Sequence, residues 1–342
     1  MQSIKQRNMY IDVLRGIAML MVVLGHTMTG ATNNSEKSFL FNIIWSLQMP
    51  LFILISGYVT RYSKRITSSF KLKSVLIKRT KAYLLPWFVW TIFVRGILIN
   101  KEIPHLFHIF WNMDSSYWFL FTIWAINVVY CISEFFSLKV QKDYQTFKNT
   151  IMIWIMFVFG MIILLGIGII FGLSFLGIKL TLYYMPFYFC GFLYGKYQDK
   201  IHMLKGSKKV IELVVAISAI VWMYSLIRIN LYSLQDSGIN IIIRAIVSMT
   251  GCITIFGLIR DCNIIKNTVG NFLEWCGKHS LEIYLTHVLV LNLVNSITKY
   301  NFNTLEGILI VFVNYVITLS MCLIIITMIN RNNYLKKILF GK

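Results

Sequence analysis

Charge is what this sequence has least of: 13% of its 342 residues are Asp, Glu, Lys or Arg, about half of what a soluble domain carries. Acid is scarcer still, with 13 Asp+Glu against 33 Lys+Arg and a formal net charge of +20. The deficit is gathered into runs: residues 150–178 are 29 consecutive uncharged positions, and 308–329 are another 22. About 20 apolar residues cross the hydrocarbon core as a helix, so both runs are long enough to span. Period-2 alternation is missing, which argues against a β-barrel, and backbone in lipid must then be satisfied within helices. The six cysteines (Cys131, Cys190, Cys252, Cys262, Cys276, Cys322) show no paired spacing. That excludes a disulfide framework or a zinc site as the organising principle. No connection has room for a soluble domain; the longest are 61–81 and 260–279.

What is there is 57% hydrophobic residues, 15% of the chain being aromatic. The pattern predicts an all-α polytopic membrane protein with spans near 10–29, 40–60, 82–100, 117–136, 150–172, 180–195, 210–227, 241–259, 280–297 and 307–329. The chain 1–342 is expected to be a single membrane domain with no soluble extracytoplasmic part. The first stretch contains Asp12 and Arg15 and runs longer than a signal-peptide core, so it reads as a retained span. With the N-terminus inside, the cytoplasmic segments hold 25 of the Lys and Arg residues. The segment 61–81 alone carries Arg61, Lys64, Arg65, Lys71, Lys73, Lys78, Arg79 and Lys81 without an acid. This is the positive-inside bias, and it sets ten helices with both termini cytoplasmic. The basic excess is therefore a topology signal and not a nucleic-acid footprint. A Met-Pro echo (Met49-Pro50, Met185-Pro186) reads as chance rather than as an internal repeat.

Ionisable groups inside spans are costly and mark function by default. Arg15 and His26 lie eleven positions apart, which returns to within about 20° of one helix face, with a rise of roughly 16 Å. One face of the first span thus carries a permanent cation toward the inside and an imidazole toward the outside. Asp12 stands one turn before Arg15, in position to pair with it. Glu282, Tyr284 and His287 share the ninth predicted span, His287 being the deepest and Glu282 a solvated residue at the inner boundary. Ser56-Gly57-Tyr58 places small and polar groups late in the second span, where packing explains them as well as a ligand does. Tyr117 and Trp118 fall where an aromatic belt is expected. Arg95 stands near the outer end of the third span, meeting a sugar or snorkelling. His105, His108, His202 and His279 read as ordinary loop residues.

In order along the chain, several stretches resemble the integral-membrane acyltransferase family three. Tyr10-Ile11-Asp12-Val13-Leu14-Arg15-Gly16-Ile17-Ala18, ending in Leu24-Gly25-His26, is similar to its opening, an Arg, ten residues and a His. Met49-Pro50-Leu51-Phe52 with Ser56-Gly57-Tyr58 resembles its second-span signature. Lys78-Arg79 before Leu84-Leu85-Pro86-Trp87, Trp118-Phe119-Leu120, and Ser280-Leu281-Glu282-Ile283-Tyr284-Leu285-Thr286-His287 resemble later ones.

The flavour is nearest to members that O-acetylate surface polysaccharides, including the fucose O-acetylase-like group. The resemblance implies an O-acetyltransferase of the bacterial cytoplasmic membrane. It takes acetyl from cytoplasmic acetyl-CoA to a hydroxyl of a cell-surface carbohydrate or its lipid-linked precursor, with no metal and no nucleic acid. On that reading His26 is general base or transient acyl carrier, and Arg15, Lys78, Arg79, Lys81 and Ser56 hold the donor. Asp12, Tyr58, Trp118, Glu282, Tyr284 and His287 shape the pocket. A transporter or flippase for a sugar-containing lipid is the rival class, and would show paired repeats and interrupted helices. A non-catalytic sensor or scaffold would not need Arg15 and His26 on one face.

Overall fold

A computed structural model describes residues 9–99, 106–111, 113, 117–261, 267–295 and 299–342. His105, Cys262 and the side chains of Arg95 and His108 lie outside the described residues. Helix dominates: α1 (Met9–Ala31), α2 (Phe39–Tyr58), α3 (Ser69–Phe88), α4 (Leu106–Trp111), α5 (Trp118–Val140), α6 (Phe147–Phe171) and α7 (Ile178–Met203) come first. Then follow α8 (Ser207–Arg228), α9 (Gly238–Asp261), α10 (Thr268–Lys278), α11 (Ser280–Val294), α12 (Leu305–Asn330) and α13 (Asn333–Phe340). Among the described residues, eight helices are long and apolar enough to cross a membrane, and the chain is a multi-pass membrane protein.

Two of the ten predicted spans differ from the expected form. The stretch 82–100 is not one regular helix: α3 begins far back in the basic segment and passes into a wider π-helical run over Val89–Ile99. The stretch 280–297 contains α11, whose 15 residues rise only about 22 Å, short of the roughly 30 Å hydrocarbon core. The two long connections, 61–81 and 260–279, are also more ordered than charge and composition suggest. Residues 69–81 belong to α3, with Ser68 accepting a hydrogen bond from the Lys71 amide as its N-cap. Most of 260–279 is α10, capped by Asn267.

The chain forms two compact units. Unit 1 comprises residues 1–57 and 197–326, and unit 2 comprises 58–196 and 327–342.

Unit 1 is built on α1, whose apolar window is 67% buried, against 17% for α8 and 22% for α12. Glycines let α10 lie backbone to backbone on α1. A Cβ on Gly16 would collide with the Leu273 carbonyl, and one on Gly277 with the Asp12 carbonyl. Asn42 of α2 fastens the turn after α8 by donating to Leu226 O (3.0 Å) and Ile229 O (2.7 Å) and accepting from the Leu231 amide (2.9 Å). Trp222 of α8 donates to Ser46 Oγ at 3.1 Å. A two-residue parallel pair, Thr32 with Tyr300 and Asn33 with Asn301, joins the chain after α1 to that before α12.

Unit 2 packs α3, α5, α6 and the first part of α7. Gly195 of α7 rests on the Tyr58 backbone. The C-terminal α13 closes on α3, with Phe340 fully buried, Gly341 against the Lys81 carbonyl, and the Trp90 indole donating to Leu339 O at 2.8 Å.

Candidate active site in unit 1

The N-terminal part of α1 holds the Asp12–Arg15 pair, with Nη1 to Oδ1 at 3.6 Å. Asp12 is 1% exposed, so this is no surface anchor but a pair with a buried acidic side chain. The apposed Gly277 and Gly16 crossings hold α10 against this turn. Cys276 on the same helix is buried, and burial pushes its thiol up to about 11.

Eleven residues along α1, His26 keeps an accessible ring in a helix otherwise closed in by neighbours. Its companion is His287 of α11, with ring centroids 5.3 Å apart and planes inclined at 42°. His287 is 1% exposed. Its Nδ1 lies 3.1 Å from the Ile283 carbonyl one turn back. A carbonyl only accepts, so Nδ1 carries the proton and Nε2 presents a lone pair. That Nε2 has no hydrogen-bond partner among the described residues. Tyr284 packs its ring 5.7 Å from His287. One accessible imidazole backed by a second, tautomer-fixed and buried, is an arrangement suited to taking a proton from a hydroxyl and holding it.

Glu282 is buried at 1% exposure, not solvated as its boundary position suggests. His279 Nδ1 stands 3.5 Å from Glu282 Oε1, and the His279 ring lies against Trp275 with centroids 4.5 Å apart. His279 is thus part of a packed junction between α10 and α11 rather than a loop residue, whereas His202 is exposed as expected. Ser56 donates its hydroxyl to Phe52 O at 2.9 Å, four residues back on its own helix, so that proton is not free for a ligand.

The remaining predicted residues lie in unit 2. Arg79 does not simply face water: Nη1 donates to Asn127 Oδ1 at 2.5 Å, and the Tyr188 hydroxyl donates to the same oxygen at 3.1 Å. Lys78 and Lys81 are exposed on α3. Tyr58 is buried and packs with Tyr194 (5.7 Å) and Tyr62 (6.2 Å). Trp118 stacks on Tyr184 at 5.6 Å, and Tyr117, 5% exposed, caps α5 with a positive φ of 45°. Tyr117 is packed inward, while Trp118 is half-buried.

Several polar groups in these units escaped the sequence reading. Asn127 and Tyr188 anchor Arg79. Arg65 donates to Glu134 Oε1 at 3.2 Å and lies over the Tyr144 ring (3.9 Å), whose other near cation is Lys196 (4.2 Å). Gln48 and Asn295 flank the His26 segment of α1. Polar residues at membrane depth are the signal that would have found them. No group of three or more His, Cys, Asp or Glu side chains with metal-binding geometry occurs among the described residues.

A family model described as an acyltransferase domain matches residues 8–327 of the chain. No curated protein and no solved structure matches it.

Proposed function

The chain belongs to the acyltransferase family whose model covers residues 8–327, and from that premise we propose that it is an O-acetyltransferase using His26 as its base. The donor is acetyl-CoA on the cytoplasmic side, and the acceptor is a hydroxyl of a cell-surface carbohydrate or its lipid-linked precursor. The observation that carries the reading is the accessible His26 ring backed by His287, on the same α1 face as Arg15.

The acceptor oxygen attacks the thioester carbonyl carbon while His26 takes the hydroxyl proton. The C–S bond then breaks, and the departing CoA sulfur takes that proton back from His26, leaving an ester and a free thiol. An imidazole does both tasks because its ordinary pKa lies near 6.5. His287 packs its ring 5.3 Å from that of His26 and orients the base by contact. A third group orienting the base is the general logic of such sites. Arg15 sits roughly 16 Å along α1 from His26, a separation that an extended CoA arm bridges from phosphate to thioester. Its planar guanidinium suits phosphate. Arg79, Lys78 and Lys81 are further donor-binding candidates, and Asp12 is the carboxylate that holds Arg15.

The deciding experiment is to supply purified protein with acetyl-labelled acetyl-CoA and envelope carbohydrate. Release of CoA thiol together with label in alkali-labile carbohydrate ester is the expected result. No consumption of acetyl-CoA would reject the enzyme reading and return the transporter alternative.

A further inference from the structure

Three buried atoms that can only accept hydrogen bonds surround two turns of α1. His287 Nε2 lies beside His26. Gln48 Oε1 stands 3.3 Å from where a Cβ on Gly25 would be, and Asn295 Oδ1 stands 3.2 Å from where a Cβ on Gly30 would be. None of the three has a hydrogen-bond partner among the described residues. Leaving a buried acceptor unsatisfied costs about 1–3 kcal/mol, so three around one short stretch point to a missing donor.

The helix geometry puts them around His26. Taking Gly25 as zero, His26 lies at about 100° and Gly30 at about 140° around the axis, and Gly25 to Gly30 rises about 7.5 Å. His26 therefore falls between the two glycines in azimuth. Gln48 comes from α2 on one side, and His287 and Asn295 come from α11 on the other. The glycines matter here: any side chain at Gly30 would collide with the Asn295 carboxamide, and one at Gly25 would press on Ile44 and Gln48. The lack of side chains leaves both carboxamides close to the backbone beside the accessible imidazole.

We propose that Gln48 and Asn295 form the hydroxyl-recognition part of the acceptor site, each accepting from a hydroxyl neighbouring the one that His26 deprotonates. The ligand class is a polyhydroxylated ring, because such a group brings several O–H donors close together to acceptors set around one stretch of α1. A simple alcohol fills one of them and leaves the others bare. The inference rests on the acyltransferase reading and adds to it which residues read the acceptor. A site built to bond a substrate hydroxyl strongly rejects the analogue lacking it.

The test uses full-length protein in detergent, with acetyl-CoA and a panel of methyl hexosides, their monodeoxy analogues and propanol. Wild type is expected to favour a parent glycoside over at least one monodeoxy analogue by tenfold or more, and to use propanol poorly. Asn295→Leu and Gln48→Leu should each raise the parent's KM at least tenfold and erase one such preference. Asn295→Asp and Gln48→Glu, which keep a side-chain oxygen, should preserve that preference within threefold. Unchanged preferences in both leucine variants overturn the proposal. So does an equal rise in the KM for acetyl-CoA, which marks a packing role, or a wild type that spends acetyl-CoA on water or propanol but acetylates no glycoside. A wild type that consumes no acetyl-CoA at all is the separate outcome that rejects the acyltransferase reading itself.

Discussion

At the scale of single residues, the decisive contrast is between two neighbouring histidines, one on α1 and one on α11, that differ in exposure. His26 is open and His287 is 1% exposed with Nδ1 committed to a backbone carbonyl. We expect His26→Ala to lower acetyl transfer by about 100-fold or more, the usual contribution of a positioned base, while the protein remains monodisperse in detergent. His287→Ala should cost less, since it removes the orienting partner and leaves the base. Near-normal transfer by His26→Ala would falsify the assignment, and a dead His287→Ala beside an active His26→Ala moves the base to α11. Arg79→Ala is predicted to weaken acetyl-CoA use more than folding. Asn127 Oδ1 keeps the Tyr188 hydroxyl after the guanidinium is gone, so the buried carboxamide is not orphaned. Equal CoA affinity in wild type and a folded variant removes Arg79 from the donor site.

At the scale of elements, the α1–α10 crossing is where a small change has a large effect. Gly277 touches the Asp12 carbonyl, and Asp12 holds Arg15. Gly277→Ala drives a methyl into backbone that has no room to yield, and overpacking costs about 1–3 kcal/mol. The expected outcome is a lower melting temperature in detergent together with reduced acetyl transfer, because the helix that carries both Arg15 and His26 must shift. A variant with wild-type melting and activity would show that α10 is a loose appendage. The periodicity of α1, α2 and α5 to α9 was readable because long apolar runs leave few other choices. The helix α10 was not: it is short and carries charge, and its reason for existing is a glycine contact with a distant segment. The predicted ninth span ran to 297, whereas α11 ends at Val294 and Asn295 caps it.

At the scale of the whole molecule, topology is the property that every assignment of sides depends on. Lys71 is exposed at the start of α3, in the segment of 61–81 where eight basic residues meet no acid. The positive-inside rule puts that segment in the cytoplasm. A cysteine at Lys71 in an otherwise cysteine-free chain should resist an impermeant reagent in sealed cells and react once they are opened. Ready labelling from outside would invert the scheme and with it the access of acetyl-CoA to Arg15.

Composition alone was enough to make this a multi-pass helical membrane protein, because lipid permits no unpaired backbone and the apolar runs have the length of a crossing. Residue spacing was enough to put Arg15 and His26 on one face, because a helix repeats at 3.6 residues wherever it lies. Partnership was beyond both. That His287 stands behind His26, that Glu282 is buried against His279, that Arg79 ends on Asn127, and that Gln48 and Asn295 bracket the His26 segment depend on which helices pack together. Packing joins residues hundreds of positions apart through shape and through glycines that allow close approach, and only the tertiary structure decides it.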